Sequence, residues 1–481
     1  MDFIQANFID PVSKVLYTYI LIYALLGVGL YYTIRTRFVQ FRRFPKMLTV
    51  MAGAANSENS DSGGDSGGGI SSFQAFCVGL ASRVGTGNIV GVAVALIAGG
   101  PGAIFWMWLV ALVGMATAFI EATLAQVFKV RSPDGSFRGG PAYYIERGLR
   151  SRPGGILFAV LLIFTFGIAF NMVQANAIGS VLAGAHTVSA RWTAVILMVL
   201  AAPVLFGGVR RVAKLSGYVL PVMALGYIVI ALIVIGMHIS ELPHTFALIV
   251  KSAFGIGTAA AGITGGLSAA LLNGVKRGLF SNEAGMGSAP NAAATATTDH
   301  PAKQGLIQSL GVFVDTIMVS TATALIILFS GVYVPGKTPA SAGASLTQTA
   351  LTKDFGTTGT WLMTVLVCVF AFSSIMGNYS YAEVNLDYLG ASRTVINVFR
   401  VVVLAAVGGG TMLALKTVWE FADVSMGFMA LVNLTALVLL SGWALGALAD
   451  YDADVAAGKP TRFRLSGNPL LPSGLTSDAW P

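Results

Sequence analysis

Apolar residues run along this chain in long blocks separated by short polar segments, without the two-residue alternation of a β-barrel. A helix crosses a bilayer core with about 20 apolar residues. Measured against that length, the pattern predicts about eleven spans, at 13–33, 73–98, 103–128, 154–184, 192–208, 216–238, 257–275, 305–331, 359–386, 396–414 and 424–448. Lipid offers the backbone no water, so such segments satisfy their hydrogen bonds internally, as helices. Residues 243–256 read as a short external segment, and the polar stretch 276–304 as a cytoplasmic loop. The Gly, Ser and Asp content of 51–70 reads as a flexible cytoplasmic linker, and 450–481 as a cytoplasmic tail.

Composition agrees. Of 481 residues, 55% are hydrophobic and 10% charged, with a mean hydropathy of +0.76. A soluble domain carries roughly 25% charged residues. The all-α polytopic class is therefore expected, and a soluble globule is excluded. The net charge of +8 and a pI near 9.4 invite a nucleic-acid reading. The bases, however, sit in short clusters between apolar runs, which is the pattern of membrane topogenesis. With the N-terminus outside, 22 of the 29 Lys and Arg fall on cytoplasmic segments, and the C-terminus is cytoplasmic. Asp2, Asp10 and the single base Lys14 do not make a cleavable signal. Cys77 and Cys368 lie in apolar runs without metal-ligand spacing, so neither a disulfide nor a transition-metal site is expected.

The most informative stretch is Gly79-Leu-Ala-Ser-Arg-Val-Gly85-Thr86-Gly87-Asn88-Ile-Val-Gly91. Four glycines, an Arg and an Asn within one span mark a helix able to unwind at membrane depth. Unwound backbone is tolerated there only where it lines a cavity; its N–H groups suit a carboxylate and its carbonyls a cation. Close helix packing through Gly87 and Gly91 is the competing reading. A second glycine-broken span is expected at Gly255–Gly266, five spans later and so oppositely directed. Two such breaks are the mark of an inverted-repeat transporter with a midplane site.

Ionisable residues within spans are costly and point to function. Arg83, Glu121, Asp315 and Glu383 qualify, with Asp387 near a cytoplasmic helix end. Arg83 should meet Glu383 or Asp387, as an inner gate or as a static pair. Ser373 and Ser374 offer neutral oxygens to a hard cation, or merely back-bond their own helix. Asn171, Gln174 and Asn176 punctuate the fourth span, and Gln174 suits a small polar solute. Packing between helices is the alternative.

These residues carry a resemblance. Ser72-Phe-Gln-Ala75, Arg83-Val-Gly-Thr-Gly-Asn-Ile89, Gly99-Gly-Pro-Gly-Ala103, Gly139-Gly-Pro-Ala-Tyr-Tyr-Ile-Glu146, Gly278-Leu-Phe-Ser-Asn-Glu-Ala-Gly285 and Asp315-Thr-Ile317 together resemble the alanine or glycine:cation symporters, over nearly the whole chain. The resemblance implies a LeuT-type fold. Residues 1–50 would hold the extra N-terminal helix, 71–240 the first five-helix repeat and 241–449 its inverted copy. It implies sodium-coupled symport of a small neutral amino acid, alanine or glycine, with Na+ as coupling ion. Thr86 and Gly87 N–H groups would hold the substrate carboxylate. Asn88, Gln174 and the Thr264-Gly265-Gly266 break would complete the pocket. The carbonyls of Ala81 and Val84, with Ser373 and Ser374, would bind sodium, and Asp315 would join a second cation position. Asp315 also keeps proton coupling open.

A channel would need a pore ring or repeated filter, and neither is present in the sequence. An enzyme would need chemical equipment, yet His186, His238, His244 and His300 have no metal spacing. Membrane lipid and a small solute are the expected partners; nucleic acid is not.

Overall fold

The computed structural model describes residues 5–59, 69–133, 135–256 and 266–480. In chain order these form α1 (Asn7–Arg35), α2 (Phe44–Asn59), α3 (Ser72–Arg83), α4 (Gly87–Gly99), α5 (Gly102–Val127), α6 (Pro141–Leu149), α7 (Arg152–His186) and α8 (Ala190–Leu205). Then follow α9 (Gly208–Met237), α10 (Leu242–Ala253), α11 (Gly266–Asn282), α12 (Ala289–Ala294), α13 (Pro301–Ser330), α14 (Leu346–Tyr388), α15 (Arg393–Gly410) and α16 (Leu415–Ala456). Among the described residues eight helices are long and apolar enough to cross a membrane, and the bent pair α3–α4 is a ninth. The chain is thus a polytopic helical membrane protein. Side chains on the outer face of α9 agree, with Val222 73% and Leu225 65% exposed. Apolar groups presented in such numbers need lipid, not water.

At the centre stands α5, buried at every residue from Gly114 to Val127. It packs against α1, α11, α13 and α16. Ahead of it, Ser71 starts α3 with a capping box: its hydroxyl accepts the Gln74 N–H at 3.0 Å, and Gln74 Oε1 accepts the Ser71 N–H at 3.2 Å. A two-stranded antiparallel hairpin, β1 (Val130–Arg131) and β2 (Phe137–Arg138), follows α5, with Val130 opposite Arg138.

Three expectations change. Helix α2 runs to Asn59 and takes the start of the linker read at 51–70. The supposed external segment 243–256 is largely the helix α10. Most consequentially, 276–304 is no solvent-exposed loop: Arg277, Ser281, Glu283, Ser288, Asn291 and His300 are all buried. Hydropathy assigns such residues to water, but here each finds a protein partner. By contrast the span expected at 359–386 lies within α14, which kinks at Gly356 (φ 59°, ψ −144°).

The tail beyond α16 folds back. Trp480 Nε1 donates to Gln126 O at 2.7 Å, Phe463 N to Asp299 O at 2.9 Å, and Arg147 Nη2 to Thr476 O at 2.5 Å. Lys129, buried between the rings of Phe137 and Trp480 at 4.1 and 4.5 Å, also donates to Ala296 O at 3.0 Å.

Candidate functional site

Two interrupted helices run antiparallel and meet at their breaks. At one end of the pair, a Cβ on Gly99 of α4 would touch Asn273 and Ala269 of α11 at 3.0 Å. At the other, Ile70 before α3 exchanges backbone bonds with Thr295 and Thr297 beyond α12, at 3.2 and 2.9 Å. Between them Gly87 lies against Phe280 and Ser281; an added Cβ would meet both at 3.1 Å.

The first break follows Arg83. Val84 swings to an extended ψ of 90°, and α3 and α4 meet at 46°. Its freed backbone groups are taken by side chains. Gln174 Oε1 accepts the Thr86 N–H at 3.1 Å, and Asn88 Oδ1 accepts the Gly85 N–H at 3.0 Å. Ser374 Oγ lies 2.9 Å from the Ala81 carbonyl and 3.1 Å from that of Phe370. The Asn88 amide nitrogen reaches Asp315 O at 2.9 Å, Asp315 Oδ1 at 2.8 Å and Ser320 Oγ at 3.1 Å. Asp315 Oδ2 accepts from Ser281 at 2.8 Å and from Thr316 at 2.7 Å. Thr86 Oγ1 is buried without a partner.

The second break runs from Glu283 to Ser288. Glu283 takes a left-handed φ of 58°, rare for a residue with a Cβ, and Gly285 and Gly287 each have φ 84°. Glu121 braces this turn: Oε1 accepts the Gly285 N–H at 3.3 Å, and Oε2 accepts from Asn433 Nδ2 at 3.1 Å. Asn433 also bonds Gly285 O at 2.9 Å and receives the Tyr144 hydroxyl. Glu283 reaches back to the first helix, its Oε1 2.7 Å from Ser82 Oγ.

An aromatic layer covers the α4 side. Phe280 stacks on Phe170 with centroids 4.3 Å apart and meets Trp419 at 4.4 Å. Arg277 lies 4.3 Å over Trp419 and pairs with Asp423 Oδ1 at 2.5 Å. A guanidinium against an indole face is favourable, the more so when both are desolvated.

The structure therefore joins Ala81 to Ser374, Thr86 to Gln174, and Asn88 to Asp315, with Val84 and Gly87 beside them. Ser373 is turned away: it donates to Phe370 O at 2.8 Å and lies 4.0 Å from Met223 Sδ. Asn176 holds the carbonyls of Gly410 and Leu413 at 3.0 and 2.7 Å, a packing role. Thr264 and Gly265 lie outside the described residues. Gly266 opens α11, about four turns from Ser281, so it is not brought to the crossing. The break that the described residues do show in this half is Glu283–Ser288. Arg83 does not meet the expected carboxylates. Glu383 faces Arg400 at 3.6 Å, Asp387 pairs with Arg138 at 3.0 Å, and Arg83 Nη1 bonds Gln308 O at 3.2 Å. Sequence reading missed Ser82, Ser281, Glu283 and Asn378; the Gly278–Gly285 string was the signal that could have found two of them, Ser281 and Glu283.

Comparison with known proteins gives a consistent picture. The model of the sodium:alanine symporter family matches residues 1–465. A probable sodium/glutamine symporter of Bacillus subtilis is 46% identical over 463 residues, covering 96% of this chain and 94% of the relative. An amino-acid carrier protein of the same organism is 46% identical over 456 residues, covering 95% and 94%. A sodium/alanine symporter of Methanococcus maripaludis is 38% identical over 448 residues, covering 92% and 96%.

Proposed function

Because the chain belongs to the sodium:alanine symporter family, it is an amino-acid transporter and not an enzyme, and we propose that it carries a small neutral amino acid, alanine or glycine, inward with sodium by alternating access. The observation that carries this reading is the antiparallel crossing of two helices interrupted at one level, where backbone and side-chain oxygens converge. Freed N–H groups at Thr86 and Gly87 suit a carboxylate, and the carbonyl of Ala81 beside Ser374 suits a hard monovalent cation. Asp315, held by Asn88 and Thr316, is the anionic group for a second cation or for the substrate ammonium. Phe280, Gln174 and Ser374 crowd the glycines and favour a small side chain.

In this reading the helices Ala190–Leu205 and the interrupted pair α11–α12 join the nine spans above to make eleven, arranged as a LeuT-type five-plus-five repeat after α1. The N-terminus lies outside and the tail in the cytoplasm. Sodium binding orders the first break, the substrate binds the ordered backbone, and differential affinity of the two states couples the gradients.

A second substrate reading is glutamine, favoured by the name of the Bacillus subtilis relative at 46% identity. Labelled alanine, glycine and glutamine uptake by the purified protein in liposomes decides between them, under an inward sodium gradient, a proton gradient or none. Uptake of none of the three with sodium overturns the proposal.

A further inference from the structure

Where the two interrupted helices touch, the protons can be counted. Gly167 O is a backbone carbonyl and only accepts; the nitrogen 3.1 Å from it is therefore Asn171 Nδ2. Asn171 Oδ1 then accepts from Asn378 Nδ2 at 3.1 Å, which fixes the Asn378 oxygen toward Ser82 Oγ, at 2.7 Å. Ser82 Oγ also lies 2.7 Å from Glu283 Oε1. A serine hydroxyl has one proton to donate and here faces these two oxygens, besides the Tyr381 hydroxyl, which brings a proton of its own. An amide oxygen has none to give. Both short contacts are satisfied only when the carboxyl supplies the second proton: Glu283 Oε1–H donates to Ser82, Ser82 donates to Asn378, and Ser288 Oγ donates to Glu283 Oε2 at 2.5 Å.

Charge counting points the same way. Glu121, Glu283 and Asp315 are buried within electrostatic range of a single guanidinium, Arg83. Fully ionised, the group holds two negative charges without a countercharge in a desolvated place, which is strongly unfavourable. Among the described residues no carboxylate engages Arg83, whose Nε and Nη2 have no hydrogen-bond partner. The other ionisable groups facing the joint are Tyr381, whose hydroxyl donates to Gly79 O at 3.4 Å, and Tyr144, which faces Glu121.

We propose that Glu283 is a proton-binding site at the crossing of the interrupted helices, holding a proton in this arrangement and releasing it when the helices part. On release the Ser82 proton turns to the new carboxylate and Asn378 Oδ1 loses its donor. Arg83 then gains an anion for its unpartnered Nε and Nη2 nitrogens. The proton latches α3 to the second break, and its loss favours a different docking of the two. This deepens the symporter reading as far as transport is concerned; the proton itself stands apart from it.

Infrared difference spectroscopy on the full chain in lipid tests the site without transport. The expected result is a protonated-carboxyl band at neutral pH, lost in Glu283→Gln, kept in Glu121→Gln, and shifted in frequency in Ser82→Ala. A wild-type spectrum without that band, or one unchanged in Glu283→Gln, overturns the proposal. If Glu283→Gln does not fold, Ser82→Ala decides, because an unshifted band breaks the link to Glu283. A band that behaves as expected alongside absent amino-acid uptake would leave the proton site and overturn only the symporter reading.

Discussion

The side-chain oxygen of Gln174 accepts the backbone N–H of Thr86 at 3.1 Å, so one of the amides freed by the first break is already satisfied from α7. A substrate carboxylate reaching that amide shares it with Gln174 or replaces it. Truncation to alanine removes a side-chain amide that in this reading also hydrogen-bonds the charged substrate, and such a bond is worth about 1.5–3 kcal/mol. Gln174→Ala is expected to raise the KM for the transported amino acid roughly ten- to a hundredfold. Gln174→Glu sets a negative charge against the carboxylate and should abolish uptake. Unchanged KM in Gln174→Ala would remove this residue from the pocket.

The two serines of α14 are separable. Ser374 reaches the carbonyl of Ala81 across the first break, whereas Ser373 back-bonds its own helix and faces Met223. Ser374→Ala should raise the sodium concentration for half-maximal uptake roughly tenfold, the loss of about 1.4 kcal/mol. Ser373→Ala should change it less than about twofold. Sodium titrations of uptake in the two variants check the order, and a larger effect at Ser373 reverses the assignment.

How far the sequence foretells this site depends on which physics marks each residue. The first break was legible, because Gly85, Gly87 and Gly91 interrupt an apolar run that has to be helical in lipid. The break expected at Gly255–Gly266 lies largely outside the described residues, and the one at Glu283–Ser288 was not foreseen, for a definite reason. Lys276, Arg277, Ser281, Asn282 and Glu283 end the apolar run, and hydropathy hands such residues to water. Their partners Asp423, Asp315 and Ser82 lie 34 to 201 residues away in sequence, and a local pattern carries no trace of them. The same blindness paired Arg83 with Glu383 on helical depth alone, although Arg400 stands nearer to that carboxylate.

Glycine positions in the first break differ in tolerance. A Cβ on Gly85 would lie 2.1 Å from Ser374 Oγ and 3.1 Å from Gln174 Oε1, displacing both contacts just described. On Gly87 it would press at 3.1 Å on the Ser281 backbone, which cannot swing aside. On Gly91 it would meet Trp419 at 3.4 Å and the Thr86 carbonyl at 3.8 Å, both ordinary contacts. Gly85→Ala should abolish uptake in a protein that still elutes monodisperse, Gly87→Ala should reduce it at least tenfold, and Gly91→Ala should stay within about threefold of wild type.

Arg277 and Asp423 are both buried and bonded to one another beside Trp419. Removing Asp423 strands the Arg277 charge, at a cost of about 3–5 kcal/mol, removing Arg277 leaves Asp423 only the longer Lys276 contact at 3.7 Å, and replacing both by apolar groups is far milder. Arg277→Met and Asp423→Leu should each lower the melting midpoint in detergent sharply, and the double variant should recover most of the loss. Additive losses in the double variant would show that the two charges do not interact.

His300 caps α13 from outside the spans, and its protonation state follows from geometry. Its Nδ1 accepts the Ala302 N–H at 3.1 Å, so that nitrogen carries no proton, and Nε2 faces Asp450 Oδ2 at 3.3 Å. Burial pushes the imidazole down from 6.5 to about 4. Between those values the unfolded chain binds a proton that the folded one refuses, so stability rises with pH there. It is fully present above about 6.5 and lost as pH falls toward 4, by roughly 3 kcal/mol at most. His300→Asn keeps an acceptor for the cap but has nothing to titrate. Its melting midpoint should therefore fall less steeply than that of wild type from pH 6.5 to pH 4, and parallel profiles would exclude His300 as the group responsible.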